Sequence, residues 1–132
     1  LGVTVQLSNQ ENTSVIAARR AGNFEILRSV WTGDFVDPVS FLEIWRGDSG
    51  NNYTGWTSAD YDALLFAASR ESEPAARFSL LQKAESLLLD AMPMIPIYHY
   101  THVFLIRPSV KGWHPTLLDH HPYKHVWLET TP

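Results

Sequence analysis

Asp34 stands in the stretch "WTGDFVDPVSF" (31–41), three residues beyond Trp31 and just past a strand-like run. A carboxylate there, beside an aromatic ring, suits a ligand ammonium held by a charge-assisted hydrogen bond. It equally suits a turn in which Asp bonds its own backbone. Trp31 divides the same way, between a platform for a ligand and a packed core residue. Arg28 alternates with Ile26 and Val30 in the preceding run. A guanidinium on an apolar strand face needs a carboxylate, either the protein's own or a ligand's.

The histidines are the other candidates for chemistry. His114, His120, His121 and His125 fall within 12 positions, and His99 and His102 are near in sequence. Imidazoles bind zinc or nickel. No HExxH motif is present, and a turn-rich segment defines no common ligand face, so surface or capping roles are expected and no metal. Nucleophilic catalysis has less support. Ser40, Ser69 and Ser79 sit in helical patterns, without a GxSxG elbow. "GDSG" (47–50) matches a serine-protease tetrad over four residues only, inside an Asn-rich loop. Neither GxGxxG nor a Walker loop occurs, so neither an enzyme nor a cofactor is expected.

The elements that must position these residues are legible from periodicity. Val3, Val5 and Leu7 alternate with polar residues, as in a half-buried strand. "NTSVIAARRAG" reads as a short helix ending at Gly22, and "FEILRSVW" (24–31) as a second strand. Together they predict a βαβ unit with a parallel pair. Asp37 and Pro38 predict a helix start, with Phe41, Leu42 and Trp45 inward. Residues 46–56 form a loop, and Thr57 with Asp60 has capping-box spacing. A helix bearing Tyr61, Leu64, Leu65 and Ala68 follows. Pro74 opens the longest helix, with Phe78, Leu81, Ala84, Leu88 and Met92 on one stripe and Arg77, Lys83 and Asp90 off it. Residues 95–106 predict an extended segment, 111–125 a loop, and "VWLE" a last short strand.

The bulk numbers fit this picture. A chain of 132 residues, 45% hydrophobic and 12% aromatic, implies one packed domain rather than disorder. The net charge of −4 and the lack of a basic block argue against nucleic acid as a partner. Without cysteine there is no disulfide and no thiol chemistry. No apolar run approaches the roughly 20 residues that span a bilayer. The chain opens on "LGVTVQL", as if inside a strand, and is expected to be a piece of a longer protein.

Four stretches carry a resemblance: "NFEILRSVWTGDFVDPVSFLEIW", "DSGNNYTGWTSADYDALL", "RFSLLQKAESLLLDAMPMIPIY" and "VKGW". In this order and at these separations they resemble the C-terminal part of the oligopeptide- and dipeptide-binding proteins of bacterial ABC importers, solute-binding protein family 5. The resemblance implies an α/β fold, part of a two-lobed periplasmic-binding-protein (type II) architecture, with helices flanking a mixed sheet. Residues 1–100 would belong to one ligand-binding lobe. Residues 101–132 would cross the hinge toward the other lobe, absent here.

The resemblance further implies that Asp34 pairs with the free α-amino group of a short peptide. Val30, Trp31 and Thr32 would offer backbone groups to the ligand as an added strand does. Trp31 would line a side-chain pocket, Arg28 would lie near the ligand's C-terminal end for some peptide lengths, and Tyr100 would face the cleft. The implied partners are short peptides and, through the full-length protein, membrane permease subunits. The implied location is periplasmic or extracellular, with lipoprotein anchoring in the parent as one form. His99 departs from the aromatic expected there, and the return segment is unusually rich in His. Two alternatives therefore stay open: a metal or nickel-chelate binder of the same family, and the ligand-sensing domain of a regulator. Half a receptor would also expose apolar faces, so self-association is expected.

Overall fold

A computed structural model describes residues 2–130. Leu1 at the head of the opening segment, and Thr131 and Pro132 at the end of the return segment, lie outside the described residues.

Helix α1 (Asn12–Ala21) starts where the Glu11 carboxylate accepts the N–H of Thr13 at 2.8 Å and of Ser14 at 3.4 Å. It stops at Gly22, whose φ of 67° is the left-handed cap that the sequence predicts. Arg19, in its last turn, lies over the Tyr53 ring at 4.7 Å and so touches the loop 46–56.

Helix α2 (Val39–Leu42) is short and runs into a 3₁₀ turn over Glu43–Trp45. The expected cap shifts by one residue. Pro38 holds the cap position, and Asp37 serves from outside, its Oδ1 accepting the Val39 N–H at 2.9 Å. Leu42 and Ile44 are buried, Trp45 is half-buried, and Phe41, expected inward, is 50% exposed.

Helices α3 (Ala59–Arg70) and α4 (Pro74–Ala91) pack on each other and make the core. The expected capping box at Thr57 and Asp60 does not form. Ser58 caps α3 instead, its hydroxyl accepting the Tyr61 N–H at 3.2 Å. Pro74 opens α4 as expected, with the Glu73 carboxylate accepting the Ala76 N–H at 2.7 Å. Of the predicted stripe, Leu81, Ala84 and Leu88 are buried against Tyr61, Leu65 and Ala68. Phe78 and Met92 are exposed. For Met92 the cause is length: α4 has 18 residues and α3 has 12, so the far end of the longer helix overhangs by about 9 Å at 1.5 Å per residue. Met92 is moreover the left-handed C-cap, at φ 51°.

Tyr61 ties the core to α2. It is fully buried, and its hydroxyl donates to the Leu42 carbonyl at 2.6 Å. Burial pushes that hydroxyl's pKa well up, with the nearby Asp62 and Glu85 adding to it. Trp56 meets the same ring edge-on at 5.1 Å.

The strands are the main correction. The segments 3–7, 24–31 and 95–106 are neither helix nor strand and take no ladder partner among the described residues, with bends at Glu25 and Ile26, so the expected parallel pair is not formed among them. Alternation marks which face a strand buries and does not supply the neighbouring edge. Val3, Leu7, Ile26, Ile97 and Val103 accordingly stay exposed. The described ladder is antiparallel, β1 (Val110–Lys111) with β2 (Trp127–Leu128). Gly112 permits it: φ is 74°, and a Cβ there would meet the His125 carbonyl at 2.0 Å. No helix among the described residues is long and apolar enough to cross a membrane.

Tyr61→Phe is expected to cost about 1–3 kcal/mol, because the Leu42 carbonyl loses its buried donor. Leu88→Ala is expected to cost about 2–5 kcal/mol through the cavity it leaves. Urea unfolding followed by circular dichroism measures both, and a larger loss for Tyr61→Phe than for Leu88→Ala contradicts this assignment of the core.

Candidate functional site

Ser40 is buried and organises the turn 31–40. Its hydroxyl accepts the Asp34 N–H at 2.7 Å, and its carbonyl accepts the Trp31 Nε1–H at 2.8 Å. Gly33 leaves room for this closure, since a Cβ there would stand 2.9 Å from the Phe41 ring. The main chain around Asp34 is thus fixed while Asp34 itself remains exposed.

Asp34 and Trp31 line one shallow hollow of about 220 Å³, with Glu43, Ile44, Arg46 and Asp48 on its wall and Ser49 and Asn51 beyond. Arg46 pairs with Asp48 at 2.9 Å, both well exposed. Asn52 braces the outer loop, donating from its amide to the carbonyls of Trp45 at 3.1 Å, Arg46 at 3.2 Å and Trp56 at 2.9 Å.

A second fixture lies behind the turn. The Arg77 guanidinium donates to both oxygens of Asp37, at 2.8 Å each, with both side chains about a quarter exposed. Those bonds, with the Val39 N–H, hold the Asp37 carboxyl below the usual carboxylate range, and Arg77 is raised in turn. The sequence shows Arg77 only as a residue off the apolar stripe. Nothing within 40 residues of local pattern signals this partner, and Ser40 was legible only as a helical serine.

The remaining expected site residues form a separate group. Arg28 donates from Nη2 toward the Tyr98 hydroxyl at 3.5 Å, and the Tyr98 and Tyr100 rings lie 6.1 Å apart. Tyr98 and Tyr100 start a row of alternate residues continued by His102 and Phe104, each ring against the next. Val30 and Thr32 are exposed, and residues 24–33 take no backbone hydrogen-bond partner among the described residues. No hydrogen bond joins the Arg28 group to the Asp34 group among those residues.

Two histidines share a carboxylate. His121 Nε2 lies 2.6 Å from Asp119 Oδ1, and His102 Nδ1 lies 3.5 Å from Asp119 Oδ2. The rings approach different oxygens, and no group of three or more His, Asp or Glu converges as a metal needs among the described residues. His121 stacks on Trp113 at 4.5 Å, which marks a packing role.

Known proteins are similar to this chain over most of its length. The dipeptide-binding protein DppE of Bacillus subtilis is 36% identical over 129 residues, 98% of this chain and 23% of its own. The oligopeptide-binding protein OppA of the same organism is 40% identical over 113 residues, 85% of this chain and 21% of its own. The probable deoxycholate-binding periplasmic protein YgiS of Escherichia coli is 37% identical, over 86% of this chain and 21% of its own. Among solved structures, the murein tripeptide binding protein MppA of Escherichia coli matches with a TM-score of 0.89 at 33% identity, covering 99% of this chain and 26% of that one. OppA of Burkholderia pseudomallei matches at 0.88 and 30%, covering 97% and 26%. No family model matches. The chain spans about a quarter of the length of these relatives. Over that span its fold is the α/β fold of two-lobed periplasmic peptide-binding proteins.

The Asp37–Arg77 pair predicts an acid-sensitive turn. The folded carboxyl releases its proton more readily than the unfolded one. The pair's stabilisation is therefore complete above the unfolded value of about 3.9 and is lost as pH falls through the lower folded value. Below about pH 4 the unfolding midpoint is expected to fall more steeply than in Asp37→Asn, as measured by urea titration at successive pH values. Parallel pH profiles for the two chains would contradict this.

Proposed function

Because the chain belongs with the bacterial oligopeptide- and dipeptide-binding proteins, we propose that it contributes part of the ligand site of a peptide receptor serving an ABC importer. Asp34 pairs with the α-amino group of a short peptide. The observation that carries this is the exposed carboxylate of Asp34 on a pinned turn, continuous with a backbone, 24–33, that takes no hydrogen-bond partner of its own among the described residues. A peptide laid along that backbone completes its hydrogen bonds irrespective of sequence, and the terminal ammonium sets its register. Trp31 walls the first side-chain space, Val30 and Thr32 supply backbone groups, and Arg28 with Tyr100 faces the ligand's far end. The relatives are binding proteins, and the chain reads with them as a non-enzymatic module.

Residues 1–100 belong to one lobe in this reading, and 101–132 cross toward the other. The full protein works outside the cytoplasm, as the periplasmic relatives do, held as a lipoprotein where no periplasm retains it. It delivers ligand to permease subunits.

Native mass spectrometry of the full-length protein, purified without added ligand, is expected to show bound short peptides. Asp34→Ala is expected to cost about 2–5 kcal/mol of affinity by stranding the desolvated ammonium. A bile acid or other amine-free ligand, with Asp34→Ala silent, overturns the reading; YgiS makes that a concrete outcome. The isolated 132-residue chain exposes Ile26, Ile97, Val103 and Leu105 and is expected to self-associate. Light scattering showing a monomer that binds no hydrophobic dye contradicts that.

A further inference from the structure

Arg77 and Asp37 do not line the hollow, yet the main chain of Asp34 is tied to them through a continuous set of bonds. The Arg77 fork sets the plane of the Asp37 carboxylate through two 2.8 Å bonds. Asp37 in turn accepts the Val39 N–H on its side chain at 2.9 Å and the Ser40 N–H on its carbonyl at 3.1 Å. The Asp37 N–H closes back onto the Phe35 carbonyl at 2.9 Å. Ser40 then fixes the Asp34 N–H and the Trp31 indole. Arg77 stands on α4, whose Leu81, Ala84 and Leu88 are buried in the core. The helix pair thereby holds the main chain from which the exposed carboxylate projects.

We propose that Arg77, acting through Asp37, is a positioning residue for the amine site: it sets the direction of the Asp34 carboxylate and so the receptor's preference for a free α-amino terminus. This rests on the reading that Asp34 takes that ammonium. Charge alone predicts the opposite effect. Removing Arg77 leaves Asp37 unneutralised near the site, which attracts a cation more strongly. Loss of amine preference therefore reports position, and gain reports field.

The test is calorimetric titration of the full-length protein carrying this chain, with trialanine and with N-acetyl-trialanine. The unsubstituted protein is expected to bind trialanine at least about tenfold more tightly than the acetylated form. Arg77→Met is expected to weaken trialanine about tenfold and to change N-acetyl-trialanine less than about twofold, so the preference collapses. On an Asp34→Asn background, Arg77→Met is expected to add no further loss of preference. Should Arg77→Met fail to fold, Arg77→Lys decides: a point charge cannot reproduce the fork, and an intermediate preference is expected. Equal weakening of both peptides, an unchanged preference in either Arg77 variant, or tighter trialanine binding overturns the proposal and leaves the role of Asp34 standing. An unsubstituted protein that does not discriminate the two peptides overturns the reading of Asp34 instead.

Discussion

Ser40 has no contact with water, so its hydroxyl and carbonyl must find their partners inside the protein. The partners are the Asp34 N–H and the Trp31 indole. That requirement closes the segment 31–40 into a ring and leaves Asp34 the outward direction. The ring is seated on the helix pair from two sides. Tyr61 holds the Leu42 carbonyl from α3, and Arg77 holds Asp37 from α4. An exposed carboxylate on a free loop would lose much of its pairing energy to ordering the loop. Here the turn's main chain is already ordered by bonds within the chain, so a charge placed on it carries no such cost.

The segments expected as strands follow a different logic. Helices α1, α3 and α4 satisfy their backbone internally, so they form wherever periodicity and caps allow. The segments 3–7, 24–31 and 95–106 need an edge contributed by other residues, and no such edge occurs among those described. Their apolar side chains remain exposed for the same reason. A chain that spans a quarter of its relatives can hold complete helices and incomplete sheets, because hydrogen bonds in the first are local and in the second are not.

This contrast also explains what could be read from the residues. Gly22, Pro74 and the stripe Leu81, Ala84, Leu88 are local signals, and the structure follows them. The caps expected at Asp37 and Thr57 fall one residue on, at Pro38 and Ser58: Asp37 still accepts the Val39 N–H from just outside α2, and at α3 two adjacent hydroxyls compete for the Tyr61 N–H, which Ser58 takes. Met92 looks like core but lies beyond the end of α3, a matter of relative helix length, and Phe78 is exposed on the first turns of α4. Asp34 and Trp31 were legible as a candidate pair through the turn residues around them, and they do share one hollow. Arg77 and Ser40 were not legible. Their roles come from a contact across 40 residues and from burial, and neither leaves a mark in local spacing.

The separation between the fixed turn and the hollow's wall has an evolutionary consequence. Arg46 and Asp48 are exposed, Asn51 is on an open loop, and the Asn52 amide, with the Ser49 N–H on Arg46, secures the neighbouring carbonyls. Substitutions on that wall alter shape and charge without touching Ser40, Asp37 or Arg77. The shape of the hollow's wall and the bonds that hold the turn thus rest on different residues. A lineage can vary that wall while each intermediate still folds, and homologues at similar distance do carry names as different as dipeptide-binding and deoxycholate-binding.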